Sequence, residues 1–400
     1  MGGLHDDAVA IAAELSELRR SIHAEPEIGL DLPRTQRKVL DALEDLPLEI
    51  TLGRKLSSVT AVLRGGKPGT TVLLRGDMDA LPVTERTGVP YASAVNGAMH
   101  ACGHDLHTAM LAGAARLLSA RQDELAGNVI FMFQPGEEGP GGCRIMVEEG
   151  VLGAAGDQPV AAYALHVASG LLPLGMVASR AGTIMAAADT LHVTVHGRGG
   201  HGSQPQNAAD PVPVACEIVL ALQTMVTRQF DVFDPIVLTV GTFHAGTADN
   251  IIPDEASFVA TVRSFSPQAR AAVAAAAPRL ARDIATAHGL TATAEFVDGY
   301  PVTSNDAAEL AFAEETVAAV LGDGRYIAAP DPLTGSEDFS YVLEQVPGAY
   351  LMLGACPPDS DPFTAPFNHS AEAVFDDAVL PDGTAVYAEL ALRRLALQAE

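Results

Sequence analysis

The sequence predicts an α/β protein with a central mixed sheet and flanking helices, together with an inserted ferredoxin-like α+β domain. The chain has 400 residues, which exceeds the size of one ordinary hydrophobic core. Strand-like and helical segments alternate in its two outer parts. Its middle part instead follows the order β-α-β-β-α-β. We therefore expect a discontinuous first domain, residues 1–182 and 299–400, and an inserted domain, residues 183–298.

The elements of the first domain follow from the spacing of apolar residues. Apolar residues at helical spacing predict helices, and short apolar runs predict strands. The predicted helices are 4–23, 35–43, 106–117, 307–321, 336–343 and one that starts at Gly383. The predicted strands are 59–63, 70–74, 128–133, 160–165 and 350–353. This alternation is typical of a sheet with helices on both faces.

The inserted domain has its own series of elements. Its predicted strands are 190–195, 236–242, 257–262 and 290–296, and its predicted helices are 211–228 and 267–288. Because these elements make a complete ferredoxin-like unit, we expect the segment to fold as a separate domain. Candidate hinges lie near Gly182 and Gly299.

The composition excludes several classes of partner. The chain carries 24 Lys and Arg against 50 Asp and Glu, a formal net charge of −26, whereas nucleic acids and anionic membranes bind basic patches. No segment reaches the roughly 18 uncharged apolar residues of a membrane span. The N-terminus lacks the pattern of a signal peptide, and the four cysteines are too widely spaced for a disulfide scaffold. We expect a cytoplasmic protein with no nucleic-acid or membrane partner.

Four segments concentrate the residue types that bind metals: 75–82, 99–107, 134–139 and 164–167. All but the second directly follow a predicted strand. In an open α/β sheet the carboxyl ends of the strands share one edge, and ligands bind there. Topology therefore predicts that the following side chains lie near one another: Asp77, Asp79, Glu137, Glu138 and His166.

Cys102 and His104 belong to the second segment and lie in the turn before a predicted helix. A thiolate, imidazoles and carboxylates together suit zinc, with manganese, cobalt or nickel as alternatives. His107 follows His104 by one helical turn. It could be a further ligand, or it could support the ligands or pack in the core.

Glu137 and Glu138 suggest a mechanism. Adjacent side chains at a strand end diverge, so one carboxylate can bind a metal while the other takes a proton from water. Alone, the pair would be read as a solvated acidic turn. Beside Cys102, His104 and His166, the catalytic interpretation is favoured.

The inserted domain contributes two weaker signals. His201 lies in a Gly-rich segment, 197–203, which could be no more than a flexible loop. Arg263 ends a predicted strand, and the guanidinium group of Arg is well suited to bind a substrate carboxylate with two parallel hydrogen bonds. By itself, Arg263 would be read as one half of a surface ion pair.

Together these motifs resemble the M20-type metallopeptidase and amidohydrolase family, and most closely its branch of hippurate hydrolase, indoleacetyl-amino-acid hydrolases and bacterial aminoacylases. Met-His-Ala-Cys-Gly-His-Asp and Pro-Gly-Glu-Glu-Gly carry the resemblance, which spans nearly the whole chain. It implies a metallopeptidase catalytic domain with two divalent metal ions, zinc first among them. The implied ligands are Cys102, His104, Glu138, His166 and His369. Glu137 matches the general base, and Asp79 matches an acidic residue behind the ligands. Asp77 stands where other branches place a ligand His, and we do not expect it to bind metal.

The resemblance also assigns roles to the inserted domain. It implies that this domain dimerises and forms a lid, and that His201 stabilises the tetrahedral oxyanion, often in the partner subunit's site. Asn250 and Arg263 match residues that hold the substrate's free carboxylate. One departure is that Pro205 is followed by Gln206 where many members of this branch have a second His.

The expected protein is a homodimeric or higher homo-oligomeric, metal-dependent amidohydrolase. It would cleave the amide bond of a small-molecule N-acyl-amino acid into a carboxylate and a free amino acid. A dipeptidase or carboxypeptidase with the same dinuclear site is the alternative within enzymes. A non-catalytic metal- or peptide-binding homologue is disfavoured, because base and ligands are all present.

Overall fold

In the computed structural model, which describes residues 3–397, the chain divides into two units. The first is made of Met1–Ile184, Ser304–Asp331 and Asp338–Glu400. The second is made of Met185–Thr303 and Pro332–Glu337. The second unit thus contains a short return segment that the sequence assigns to the first domain.

The first unit is built on an eight-stranded mixed sheet. With elements numbered along the whole chain, its strands are β1 (Leu48–Leu52), β2 (Val59–Arg64), β3 (Lys67–Asp77), β4 (Ala126–Gln134), β5 (Ala161–Ala168), β6 (Val177–Ser179), β15 (Tyr326–Ala328) and β16 (Gly348–Gly354). Their order is β1-β2-β4-β3-β5-β16-β6-β15. Because β3 runs parallel to both β4 and β5, the carboxyl ends of these three strands meet at one edge.

Helices cover this sheet and complete the core of the first unit. They are α1 (Leu4–Ala10), α2 (Ala12–Ala24), α3 (Pro33–Leu43), α4 (His104–Ser119), α5 (Gly142–Glu148), α8 (Ala307–Leu321), α9 (Ser340–Leu343) and α10 (Leu380–Ala396). Helix α4 is buried along nearly its whole surface, including its charged first turn. Short 3₁₀ helices lie at Gln122–Glu124, Val151–Gly153, Pro205–Asn207 and Asp377–Val379.

The second unit has the predicted ferredoxin-like order. Its elements are β8 (Ala187–His196), β9 (Gly200–His201), α6 (Pro211–Gln229), β10 (Ile236–Ala245), β11 (Ile251–Ile252), β12 (Glu255–Ser264), α7 (Pro267–Ala287) and β13 (Thr291–Tyr300). The four long strands form an antiparallel sheet in the order β10-β12-β8-β13. The apolar sides of α6 and α7 share one core with this sheet. Two short strands, β7 (Gly182–Met185) and β14 (Thr303–Asn305), pair separately.

The fold class is therefore as predicted, with differences in several elements. The helix expected at 4–23 is interrupted at Ile11, and strand β1 was missed because most of its side chains are exposed. Only the end of the helix expected at 336–343 forms, and the carboxylate of Asp338, which precedes it, accepts the N–H of Cys143. Gly299 lies within the second unit, where its N–H donates to Asp189 Oδ1 at 2.9 Å.

In the described part of the chain, no helix combines the length and apolar character required to cross a membrane.

Candidate metal and catalytic site

The edge formed by β3, β4 and β5 carries the predicted carboxylates. Asp77 ends β3, and Asp79 follows two residues later. Asp79 accepts the backbone N–H groups of Glu137 and Glu138, each at 3.0 Å. These two bonds fix the turn after β4. His166 lies inside β5 and not beyond it, because this strand runs three residues farther than the sequence predicts.

The turn before α4 brings Cys102 to the same edge. Gly103 has a φ of +85°, and a Cβ atom there would lie 2.3 Å from a methyl group of Val167, so only glycine fits. Cys102 Sγ lies 3.3 Å from His166 Nε2. The other ring nitrogen of His166 lies 2.8 Å from the carbonyl oxygen of Val167. Since a carbonyl only accepts, Nδ1 carries the hydrogen and Nε2 presents a lone pair beside the sulfur.

His369 reaches the cluster from a distant loop. Its ring Nε2 lies 3.2 Å from Glu138 Oε1, and its backbone N–H donates to the carbonyl oxygen of Ala101 at 2.8 Å. Its backbone is left-handed, with a φ of +73°, which is uncommon outside glycine. The preceding Asn368 donates to Cys102 O at 3.2 Å. These bonds fasten the loop to the Cys102 segment.

The side chains in this cluster fit metal ions. Both ring nitrogens of His104 and Oε1 of Glu138 are buried and make no well-aligned hydrogen bond. Among their polar neighbours are Asp79 Oδ1, 3.5 Å from His104 Nδ1, and His369 Nε2, 3.2 Å from Glu138 Oε1. Five groups of three possible ligand side chains have their ligand atoms within 4.8 Å of one another. Two of these groups contain only predicted ligands, namely Cys102, His104 and His166, and Cys102, Glu138 and His369. Cys102 belongs to both groups. Sulfur, imidazole and carboxylate donors together suit a divalent transition metal.

The pKa shifts of Cys102 and His104 also favour the binding of a cation in this cluster. Burial, with the charge of Glu138, raises the pKa of the Cys102 thiol to about 12, so without a cation the thiol stays protonated. Burial lowers the pKa of His104, but the charge of Asp77 more than offsets this and holds that pKa well above its ordinary value. An imidazolium thus balances the anionic side chains in the free protein. A bound divalent cation would take over that role and deprotonate the thiol.

Asp77 and His107 are engaged elsewhere. Asp77 Oδ1 lies 2.5 Å from His107 Nδ1, and its Oδ2 accepts from Arg75 Nη1 at 2.6 Å. His107 Nε2 accepts the N–H of Val167 at 2.8 Å. Both nitrogens of His107 are therefore engaged within the protein, and so are both carboxylate oxygens of Asp77. These two side chains and His104 also form a possible ligand group of their own, so a supporting role for His107 and Asp77 stays a prediction.

The second unit holds the remaining predicted site residues. His201 pairs with Ile251 between β9 and β11, and Asn250 O accepts the N–H of Gly202 at 2.8 Å, so His201 and Asn250 lie side by side. His201 Nδ1 accepts the N–H of Ser203 at 3.1 Å. Arg263 lies near the carboxyl end of β12, where it donates to Thr261 Oγ1 at 2.6 Å. Within this unit Arg263 is not close to the other two residues.

The model of the peptidase family M20/M25/M40 matches residues 73–393. This chain belongs to that family. The family predicted from the sequence is thereby confirmed. The fold class and the assignment as an amidohydrolase are confirmed by this match together with the relatives described next.

Individual M20 relatives match over nearly their whole length. A protein of Saccharolobus solfataricus named thermostable carboxypeptidase 2 is 37% identical over 394 residues, 98% of each chain. The N-acetylcysteine deacetylase of Bacillus subtilis is 36% identical over 384 residues, 96% of this chain and 97% of the relative. The solved structure of the Bacillus subtilis YxeP protein, described as a dinuclear metal binding peptidase from the M20 family, is 33% identical with a TM-score of 0.83. That alignment covers 97% of this chain and 99% of YxeP.

The sequence did not indicate the buried frame behind this M20-family site. Arg75 donates not only to Asp77 but also to Gln134 Oε1 at 2.9 Å and to Asp338 Oδ1 at 3.0 Å. Gln134 donates to Asp338 as well, at 2.8 Å. This frame joins the ends of β3 and β4 to the segment before α9. The one available signal was a charged Arg75 next to an apolar strand run, two residues from Asp77 and therefore on the same face.

Proposed function

We propose that this protein hydrolyses N-acyl-amino acids to a carboxylate and a free amino acid. The observation that carries the proposal is Glu137. Its side-chain oxygen lies within 4.8 Å of ligand atoms of His104 and Glu138, and the residue is only 6% exposed. A buried carboxylate beside metal-ligand side chains is the arrangement that a general base needs.

The five side chains Cys102, His104, Glu138, His166 and His369 would hold two divalent metal ions. When bound, such ions polarise the scissile carbonyl and acidify water at the site. We infer zinc as the first choice from the thiolate and imidazole donors, with manganese, cobalt or nickel as alternatives.

Glu137 performs the proton transfers. Its carboxylate takes a proton from the attacking water as the new C–O bond forms at the amide carbon. It then gives that proton to the amide nitrogen as the C–N bond breaks, so that the amine leaves neutral. Asp79 keeps Glu137 in place through the backbone N–H.

His201 has the correct tautomer for an oxyanion donor. Because Nδ1 accepts the N–H of Ser203, the ring hydrogen lies on Nε2, which can donate to the oxyanion of the tetrahedral intermediate. Asn250 and Arg263 would hold the substrate's carboxylate, in the case of Arg263 through a two-pronged guanidinium contact.

The second unit favours a homodimer. Arg263 lies eight positions beyond Glu255, which is at the His201 end of β12, so extended strand places the two residues roughly 27 Å apart. In the substrate, only the amide nitrogen and one carbon separate the scissile carbonyl from the carboxylate. His201 and Arg263 can therefore contact one substrate only if two subunits contribute them. This geometry supports the proposal that the inserted domain dimerises and serves as a lid.

A substrate panel tests the proposed reaction. N-acetyl-, N-benzoyl- and indoleacetyl-amino acids would be compared with dipeptides after loading with zinc, manganese or cobalt, with products identified by mass spectrometry. We expect the acyl-amino acids to be cleaved with the higher kcat/KM. Faster cleavage of dipeptides would favour the carboxypeptidase or dipeptidase alternative, which the name of one relative also suggests. Metal binding without any hydrolysis would contradict both.

A further inference from the structure

His107 is a fully buried histidine that lies next to the metal-ligand side chains without joining them. It is 0% exposed, and its ring centre lies 4.6 Å from that of His166. We propose that His107 is a positioning residue that orients His166 toward the metal through the backbone of Val167. The inference rests on the proposed role of His166 as a ligand, and metal binding is measured without substrate. Its failure is therefore distinguishable from failure of the proposed reaction.

The connection from His107 to His166 begins at the backbone N–H of Val167 in β5. The pairing of β3 with β5 stops at Ala164, so this N–H has no partner on β3. His107 Nε2 accepts this N–H at 2.8 Å. A ring nitrogen of an α4 residue thus replaces a strand neighbour at the point where β5 enters the site.

The second step is the state of the His107 ring. Because Nε2 accepts from an amide, the ring hydrogen lies on Nδ1, where it is donated to Asp77 Oδ1 at 2.5 Å. The other oxygen of Asp77 is held by Arg75 at 2.6 Å. Asp77 and Arg75 thus fix which nitrogen of His107 can accept.

The third step leads from Val167 to the proposed ligand. The carbonyl oxygen of Val167 accepts from His166 Nδ1 at 2.8 Å and from Asn368 Nδ2 at 2.9 Å. Val167 is therefore held at both its N–H and its C=O. This keeps the hydrogen of His166 on Nδ1 and its Nε2 lone pair beside Cys102 Sγ.

A purely structural role for His107 is the competing explanation, and Thr108 provides the matched control. Thr108 is the next residue of α4, is equally buried, and donates to Asp77 O at 2.8 Å. It bonds to the backbone of β3 and not to Val167. Thr108→Val therefore removes a buried hydrogen bond to a backbone atom while leaving intact the bonds of His107 to the Asp77 carboxylate and to Val167.

The decisive experiment compares His107→Phe, Thr108→Val and wild type. Zinc affinity would be measured by competition with a chelator, and the thermal unfolding of each metal-free protein would be recorded. We expect both variants to lower the apo Tm, and only His107→Phe to weaken zinc binding, by about 10–100-fold. The visible spectrum of the cobalt-loaded His107→Phe protein should also shift. Wild-type affinity in His107→Phe would overturn the proposal, as would the loss of one metal equivalent at saturation, which would make His107 a ligand.

A measurement on the wild-type chain removes any dependence on the folding of the Phe variant. In zinc-loaded protein with ¹⁵N-labelled histidines, long-range ¹H–¹⁵N correlations report the tautomer of each ring. The signals of His107 are assigned as those missing from the spectrum of His107→Gln. We expect the wild-type ring to be neutral with its hydrogen on Nδ1. A hydrogen on Nε2, or a metal-shifted nitrogen in His107, would refute the proposed role of His107.

Discussion

The carboxylate of Asp79 holds the backbone of Glu137 by accepting its N–H at 3.0 Å. The proposed base is thus positioned by a second carboxylate, Asp79, whose oxygens accept backbone hydrogen bonds. The other oxygen of Asp79 accepts the next N–H along the chain, also at 3.0 Å. A carboxylate, with acceptors on both oxygens, is suited to this task.

We therefore expect Asp79→Asn to impair catalysis. The amide keeps one acceptor but turns its NH₂ group toward the other backbone N–H, which displaces the turn that carries Glu137. The expected result is a fall in kcat of about 10–100-fold. Steady-state kinetics at matched metal content would check this, and a variant with wild-type kcat would contradict the role assigned to Asp79.

Glu137→Gln tests the base itself. The substitution keeps the backbone N–H and the side-chain shape but removes proton transfer. We expect kcat to fall by about 10²–10⁴-fold while metal content, measured by elemental analysis, is retained. Near-normal turnover with metal bound would eliminate Glu137 as the base.

Subunit mixing tests the shared site. His201→Ala and Arg263→Ala each disable the proposed active site, and we expect the latter to raise KM steeply. After the two variants are mixed and allowed to exchange subunits, each hybrid dimer should contain one site with intact His201 and Arg263. Activity should then reappear above that of either variant. Mixtures that stay inactive despite confirmed exchange would show that both residues serve the site of a single chain.

His23 gives a prediction for the pH dependence of stability. Its Nδ1 lies 2.7 Å from Asp105 Oδ2 and its Nε2 lies 3.3 Å from Glu85 Oε1. Burial lowers the pKa of His23, but these two carboxylates outweigh burial and the opposing charge of Arg19, and the pKa rises from 6.5 to about 9. The rings of Tyr91 and His100 also face His23.

Because the folded state binds the proton more tightly, the stabilisation is complete below pH 6.5 and is lost as pH rises through about 9. We expect wild type to exceed His23→Gln in unfolding free energy by up to about 3 kcal/mol at low pH, and the difference to shrink toward high pH. Denaturant titrations of both proteins across this interval would check it. A pH-independent difference would mean that His23 is not protonated in the fold.

The part of the site that sequence reasoning predicts is the part that topology determines. Asp79 and Glu137 could be placed together because they follow parallel strands, whose ends share an edge. His369 could be found only through the family resemblance, because its position depends on a left-handed residue that closes a distant loop onto Ala101. The bond from Arg75 to Asp338 spans 263 positions, and no local pattern encodes such a pairing.

The late position of β16 and His369 has a consequence for synthesis on the ribosome. Strand β16 lies between β5 and β6, so the central sheet lacks an interior strand until residues 348–354 have been made. The inserted unit, whose long strands end at Tyr300, is complete before then. A nascent or truncated chain can thus display a finished second unit while the proposed metal-ligand cluster is still unassembled. We therefore expect the proposed hydrolytic activity only in chains that extend at least through His369.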